Sequence, residues 1–259
     1  MNLDQRHFAK LVECHRGIEA TLEPSKSVWA SGGSKAWLTS VEKIRKIGNL
    51  ADMALSDVLY DRHQLRERVL QAKTNASTEI IKELVIDILA WGGMRTINAQ
   101  SALRSWDDWI APCVNLANGM AALEAYDQFY RLKKSKLAKG IGPAYYTKLI
   151  YFLGNGDGLI MDQWTARSTN LLFGALVKMQ SRTAVSDRND AAIYQNYLER
   201  VQALSDHLSS AVGKEVSPHE TEELIFSFSG TPSKKGHLNA AQHSAVSAWR
   251  RYLIEQDSL

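Results

Sequence analysis

Cysteine and long apolar runs are both scarce in this sequence. Cys14 and Cys113 are its 2 cysteines among 259 residues, too few for a four-cysteine zinc or iron–sulfur site. Such low cysteine use is typical of a reducing compartment. No apolar run reaches the ~18 residues of a membrane span, and residues 1–22 are too charged for a signal peptide. We therefore expect a cytoplasmic protein that makes no contact with a membrane.

The spacing of a metal site is missing as well. The 7 histidines are scattered along the chain, without carboxylates at ligand spacing. His219-Glu220 lacks the second histidine that a zinc-binding helix would carry. We therefore predict no catalytic metal.

Strand-like alternation of apolar and polar residues is also absent, and apolar residues recur at helical spacing instead. The clearest stripe runs from Ile80 to Leu89, with Ser77 as the expected N-cap and Gly92-Gly93 as the expected end of the helix. Further helices are predicted within residues 1–22, 119–136, 190–208 and 220–228. The sequence therefore predicts an all-α fold.

One basic stretch has no acidic residue at all. Between Arg131 and Gly156 the chain has neither aspartate nor glutamate. Its basic residues are Arg131, Lys133, Lys134, Lys136, Lys139 and Lys148. Gly140-Ile141-Gly142 interrupts the stretch and Pro143 opens a new helix, an arrangement that offers backbone N–H groups to an anion. Because the net charge is only +3, this local clustering is the main argument for a nucleic-acid phosphate backbone as the partner.

The region around the two glycines resembles a known family. Gly140-Ile141-Gly142-Pro143, an apolar helix Tyr145–Leu153, a glycine-containing loop and then Ile160-Met161-Asp162 are similar to the helix-hairpin-helix DNA glycosylases. The similarity is closest to the prokaryotic branch related to 8-oxoguanine DNA glycosylase, and it covers residues 126–170 at the level of motifs. It implies two helical lobes with a cleft between them and a catalytic aspartate at Asp162.

The resemblance also implies how the chain is divided and where DNA binds. Residues 1–40 are expected to pack on the hairpin lobe, 41–125 to form a helical lobe, 126–230 to form the hairpin lobe and 231–259 to be a basic tail. The DNA backbone is expected to contact Lys139, Gly140, Ile141, Gly142, Ala144 and Lys148. Hairpins of this family often hold a monovalent cation through backbone carbonyls, and no other cofactor is expected.

Asp162 has two interpretations. A carboxylate close to the sugar can stabilise the positive charge that develops when an N-glycosidic bond breaks, and it can orient the attacking water. Asp162 also precedes Gln163-Trp164-Thr165, so it can equally be an N-cap. Both roles can hold together.

The position of a lysine after the hairpin bears on whether the product is an intact abasic site or a cut strand. Family members that also cut the strand carry a lysine four residues after the first hairpin glycine, where this chain has Ala144. We therefore predict a monofunctional enzyme that leaves an abasic site. Lys148 lies one turn later, and a lysine of lowered pKa there could form a Schiff base, although a phosphate contact or a solvated side chain is the favoured interpretation.

A base pocket is the least defined part of the prediction. An extruded base needs flat rings or guanidinium groups to stack on and donors for its edge. The candidates are Trp29, Trp91, Arg95, Asn98, Gln163 and Trp164, with Trp91 preferred because it ends a firmly predicted helix. Packing in the core is the competing explanation for each tryptophan.

The predicted function is removal of a modified base from double-stranded DNA by a monomeric protein, either in repair or against modified phage DNA. Two alternatives remain open. The first is a DNA-binding module without activity, and the second is a glycosylase with lyase activity that uses Lys148.

Overall fold

The fold consists almost entirely of helices. The structure, a computed structural model, describes residues 2–21, 33–44, 53, 55, 57–74, 76–227 and 240–256. Within these residues the helices are α1 (Gln5–Glu19), α2 (Ser34–Ile44), α3 (Arg62–Lys73), α4 (Thr78–Trp91), α5 (Thr96–Arg104), α6 (Trp106–Trp109), α7 (Ala111–Ala117), α8 (Ala122–Lys134), α9 (Pro143–Leu153), α10 (Gln163–Phe173), α11 (Ala191–Val212), α12 (Pro218–Phe226) and α13 (Ala240–Gln256). The predicted all-α class is confirmed. None of these helices is both long and apolar enough to cross a bilayer.

The helix boundaries follow local chemistry that the sequence shows. The Ser77 side chain accepts a hydrogen bond from the Ile80 N–H at 3.3 Å, and Asp190 caps α11 through the Ile193 N–H at 3.0 Å. Gly92 is the C-cap of α4, as predicted. Each cap satisfies an N–H or C=O group that the helix itself leaves without a partner.

One short sheet was not predicted. Strands β1 (Met179–Ser181) and β2 (Ala184–Val185) form an antiparallel hairpin in a segment whose sequence is polar and loop-like. Each strand is too short to show an alternating pattern, so periodicity could not reveal it.

The helices form two lobes. Helices α2 to α7 pack with one another, and α8 to α13 pack together with α1. Helix α9 contacts both groups, packing on α3, α4 and α7 on one side and on α8 on the other. Every α9 residue from Tyr146 to Leu153 is buried, as a helix between two lobes should be.

The predicted lobe boundaries differ from the packing at three places. Helix α1 does pack on the hairpin lobe, but residues 34–40 belong to α2, which packs on α4 and α5 of the other lobe. The boundary expected at residue 126 lies inside α8. Residues 240–256 of the predicted basic tail form α13, which packs against α1, α10 and α12. Tertiary contacts rather than composition decide these boundaries.

The hairpin before α9 is docked on α5. Gly140 has φ +75°, and a Cβ atom there would lie 2.1 Å from the carbonyl oxygen of Asn98 and 3.0 Å from the Ala102 nitrogen. Glycine is therefore required both by the backbone conformation and by the close approach of a neighbouring helix. The Ile141 side chain next to it is fully buried, which fixes the hairpin to the core.

Gly140→Ala tests this docking, with Gly213→Ala as the matched control. Gly213 is also left-handed, with φ +74° and ψ +21°, but a Cβ there would meet nothing within 4 Å. The control should lose the ~1–2 kcal/mol of a left-handed alanine, and Gly140→Ala should lose ~1–3 kcal/mol more because of the clash. Urea unfolding of both variants measures the difference. Equal losses would contradict the docking.

A buried ion pair joins the two lobes. The Arg62 guanidinium at the start of α3 donates to the Glu222 carboxylate on α12, and both side chains are almost completely shielded from solvent. The Arg62 guanidinium also lies 4.2 Å from the ring centroid of Tyr151 on α9. Buried charges are tolerated only when they are paired.

Replacing Arg62 by methionine should therefore lower the free energy of unfolding by ~3–5 kcal/mol, because Glu222 would remain buried without its partner. Denaturant unfolding provides the measurement. Arg131→Met is the control, since Arg131 pairs with Asp127 on the surface, and it should cost less than ~1 kcal/mol. The double variant Arg62→Met/Glu222→Gln should recover part of the loss. Similar losses for the two single variants would contradict a stabilising role for the buried pair.

Candidate active site

Asp162 is held rigidly at the start of α10. Its Oδ1 accepts hydrogen bonds from the N–H groups of Trp164 at 2.8 Å and Thr165 at 3.3 Å. In return, the Asp162 N–H donates to Thr165 Oγ1 at 3.0 Å. The capping interpretation is therefore correct. Because the cap uses Oδ1, the second oxygen, Oδ2, can serve another purpose.

Hydroxyl groups from two helices fix the segment that leads to Asp162. The Tyr194 hydroxyl donates to Leu159 O at 2.8 Å, and the Tyr197 hydroxyl donates to Ile160 O at 2.6 Å. The Met161 N–H donates to Thr147 Oγ1 at 3.1 Å. These bonds satisfy buried backbone groups, and they tie the carboxylate to α9 and α11.

Lys148 lies beside this carboxylate. Its Nζ is 3.7 Å from Asp162 Oδ2 and donates to the Ala144 carbonyl at 3.0 Å. Burial lowers the pKa of Lys148, although the attraction of Asp162 partly opposes that shift. The lysine is 7% exposed, so the structure contradicts both the predicted DNA-backbone contact and a solvated side chain.

The first lobe also reaches this lysine, at the end of α4. A Cβ atom on Gly92 would lie 2.9 Å from Lys148 Cδ, so the absence of a side chain at this position leaves room for the lysine stem. Trp91, one residue earlier, is 5% exposed and packs edge-to-face on Phe152, with ring centroids 4.9 Å apart. Its predicted stacking role therefore does not fit the structure: the ring belongs to the core, and a base could reach it only if these contacts opened.

Arg95 and Asn98 come together around Tyr145, in the first turn of α9. Burial raises the pKa of Tyr145, while hydrogen bonds from the Arg95 backbone and the Asn98 side chain act in the opposite direction. The Lys148 Nζ is 6.0 Å from the centroid of the Tyr145 ring. The structure thus places two of the predicted pocket residues against Tyr145, whose ring neighbours the lysine. It adds Tyr145, whose only indication in the sequence was its place in the first turn after the hairpin.

Gln163 and Trp164 follow Asp162 in the first turn of α10. With its amide oriented to satisfy both neighbours, Gln163 accepts from Trp164 Nε1 at 2.9 Å and donates to the Thr183 carbonyl. The Trp164 ring has the guanidinium carbons of Arg167 and Arg250 at 4.5 and 4.1 Å from its centroid. A base stacking on this ring would have to share it with those cations. Trp29 lies outside the described residues.

The N-terminus of α9 has an acidic neighbour. A Cβ on Gly142 would lie 3.0 Å from Asp187 Oδ1, and Asp187 Oδ2 is 3.3 Å from Lys133 Nζ. Lys134, Lys136 and Lys139 are exposed around the same hairpin. The basic stretch contains no acidic residue in the sequence. In the fold, however, the loop before α11 brings the Asp187 carboxylate next to it.

A separate pocket lies along α10. Its volume is about 350 Å³, and Asp162 is not part of its wall. The pocket is lined by Arg167, Asn170, Leu171, Met179, Ser181, Arg182, Leu253 and Gln256. In the part of the chain that the structure describes, no three His, Cys, Asp or Glu residues are grouped as a metal site would require.

Chemically, the site combines a fixed carboxylate with a buried amine. A carboxylate held by cap hydrogen bonds needs little reorganisation to stabilise a developing positive charge. The neighbouring ammonium group compensates the carboxylate charge in the resting site and can donate hydrogen bonds.

One family model matches most of the chain. Residues 31–226 match the family model described as "Putative 8-oxoguanine DNA glycosylase OGG-like protein". Among curated proteins and among solved structures, no match was found. The matched range contains the hairpin, Lys148 and Asp162, whereas α1 and α13 lie outside it. The chain belongs to the OGG-like family of putative 8-oxoguanine DNA glycosylases.

Proposed function

We propose that this protein is a monofunctional DNA glycosylase that flips a modified base out of double-stranded DNA and hydrolyses its N-glycosidic bond. The observation that carries the proposal is the Asp162 carboxylate, fixed at the start of α10 and 3.7 Å from Lys148 Nζ. Family membership supports the reaction class.

In the proposed mechanism the two carboxylate oxygens of Asp162 have different roles. Oδ1 stays in the helix cap, and Oδ2 faces the reaction, where it stabilises the cationic sugar and orients water. In our proposal the Lys148 ammonium holds Oδ2 in place before the sugar arrives. As positive charge builds on the sugar, the carboxylate gains a further cationic neighbour.

DNA binding is assigned to the hairpin and its exposed lysines. Phosphates contact Lys139 and the backbone of Gly140, Ile141, Gly142 and Ala144, which positions the duplex without selecting its sequence. The base is received by one of two groups of residues, either Arg95, Asn98 and Tyr145 or Gln163 and Trp164. Flipping costs a few kcal/mol, which these contacts must recover.

The family description favours an oxidised purine as the substrate and repair as the purpose. Removal of modified bases from phage DNA uses the same chemistry and is the second purpose we consider. Oligonucleotides that carry oxidised purines and genomic DNA from phages with modified bases, incubated with the protein and analysed for released bases, distinguish the two.

Asp162→Asn should abolish base release and leave DNA affinity equal or higher. Asparagine is also a good N-cap, so α10 should persist while one charge-stabilising group is lost, at a cost of at least ~10²-fold in rate. Base release under single-turnover conditions and DNA binding are the two measurements.

Asp190→Asn is the matched control, because Asp190 is also an N-cap aspartate, which accepts from the Ile193 N–H at the start of α11. It should keep the wild-type rate. If Asp162→Asn also kept it, the catalytic assignment would be wrong. If the wild-type protein binds duplex DNA but no substrate acquires alkali-labile sites, the protein is a binding module without activity.

Lyase activity is the second candidate function, and the position of Lys148 favours it. Its lowered pKa and its closeness to Asp162 are properties of an amine that could attack a sugar aldehyde. Two observations favour the monofunctional reaction instead. The amine is engaged with Ala144 O and Asp162, and it is 7% exposed.

Borohydride trapping on DNA with a preformed abasic site separates the two reactions, because it does not depend on base release. We expect no covalent adduct, with strand breaks appearing only after alkali. Lys148→Ala and Lys139→Ala are the paired variants, one buried and one exposed. An adduct that persists in Lys139→Ala and disappears in Lys148→Ala would establish the lyase reaction.

A further inference from the structure

Arg250 reaches the candidate active site from the C-terminal helix α13. Its guanidinium carbon lies 4.1 Å from the centroid of the Trp164 ring, and the residue is 5% exposed. Trp164 in turn donates its backbone N–H to Asp162 Oδ1 at 2.8 Å. Trp164 therefore contacts the buried guanidinium through its ring and Asp162 through its backbone N–H.

Hydrogen bonds hold Arg250 in this position. Its Nη2 donates to the Phe226 carbonyl at 2.8 Å, and its backbone N–H donates to Ser227 Oγ at 3.2 Å. The Ser227 hydroxyl donates to the Val246 carbonyl at 2.7 Å, which ties the end of α12 to α13. The Phe226 carbonyl and the Trp164 ring thus both orient the guanidinium.

The same helix also fixes α10 directly. Trp249 Nε1 donates to Ser168 Oγ at 2.8 Å, and the Ser168 hydroxyl donates to the Ile225 carbonyl at 2.8 Å. Trp249 is 1% exposed, so this contact is part of the core. Helices α10, α12 and α13 thus pack on one another.

The charge of Arg250 acts on the carboxylate. Burial lowers the pKa of Arg250 to about 10, and attraction to Asp162 opposes this shift. The guanidinium remains charged at neutral pH and is a second cation near the carboxylate, after Lys148. Arg167, the other guanidinium over Trp164, repels it.

We propose that Arg250 is a positioning residue for Asp162: it holds Trp164 and the first turn of α10 in place and provides a buried positive charge beside the Trp164 ring. The inference rests on the proposed glycosylase function. It assigns a working role to a helix that lies outside residues 31–226, the range that the family model matches.

A contact between Arg250 and DNA is the competing explanation for an arginine in this basic segment. Its burial and its bond to the Phe226 carbonyl argue against that role. The next residue, Arg251, is exposed and donates to the Ser244 carbonyl at 2.9 Å. Arg251 is therefore a matched control on the same helix.

The test compares Arg250→Gln, Arg250→Lys and Arg251→Gln with the wild type in single-turnover base release at saturating DNA. Arg250→Gln should slow release by about 10- to 100-fold, the range for loss of one charge-assisted interaction. Its Kd for DNA should stay within about threefold, because a positioning residue makes no phosphate contact. Arg250→Lys should recover most of the rate, and Arg251→Gln should match the wild type.

Equal rates for Arg250→Lys and Arg250→Gln would overturn the role of charge, as would a wild-type rate in Arg250→Gln. Ser227→Ala gives an independent arm if Arg250→Gln does not fold, because the Ser227 hydroxyl accepts from the Arg250 N–H at 3.2 Å. Its loss should loosen Arg250 and slow release without changing Kd, and an unchanged rate in folded protein would contradict the proposal. If the wild type releases no base from any substrate, the proposed function fails. If the wild type is active and the Arg250 variants are equally active, only this inference fails.

Discussion

The contact between Lys148 and Asp162 links the parts of the molecule on which the site depends. Lys148 is on α9, the helix that packs against both lobes, and Asp162 is the cap of α10. Because both side chains are buried, each needs the other to compensate its charge. Neighbouring residues accommodate this buried pair. Gly92 leaves space for the lysine stem, and hydroxyl groups of α9 and α11 fix the backbone that precedes the carboxylate.

The parts of the fold that the sequence could predict are those set by near neighbours in the chain. The caps by Ser77 and Asp190, the end of α4 at Gly92 and the start of α9 at Pro143 each depend on a few consecutive residues. Asp162 could be proposed in the same way, because a cap and its helix are adjacent in sequence. The family resemblance then suggested that this cap is also the reactive carboxylate.

The rest of the site depends on contacts between distant segments, which no local pattern contains. Lys148 appears as one of several lysines in a basic stretch, and only the packing of α4 on α9 shows that it is buried. Arg250 appears in a basic tail, yet it reaches Trp164 because α13 packs on α10. Trp91 shows the opposite error: its place at a helix end suggested exposure, but Phe152 covers the ring.

The carboxylate of Asp187 at the hairpin has a consequence for how such a protein would search DNA. If the hairpin binds phosphate as proposed, a negative charge beside the N-terminus of α9 would compete for the same partial positive charge and would weaken binding to every duplex alike. On the proposed function, most encounters are with unmodified base pairs, and dissociation from them must be fast for the next site to be inspected. Asp187 would then shorten the residence time on undamaged DNA, while a base that enters the pocket lengthens the stay through contacts of its own.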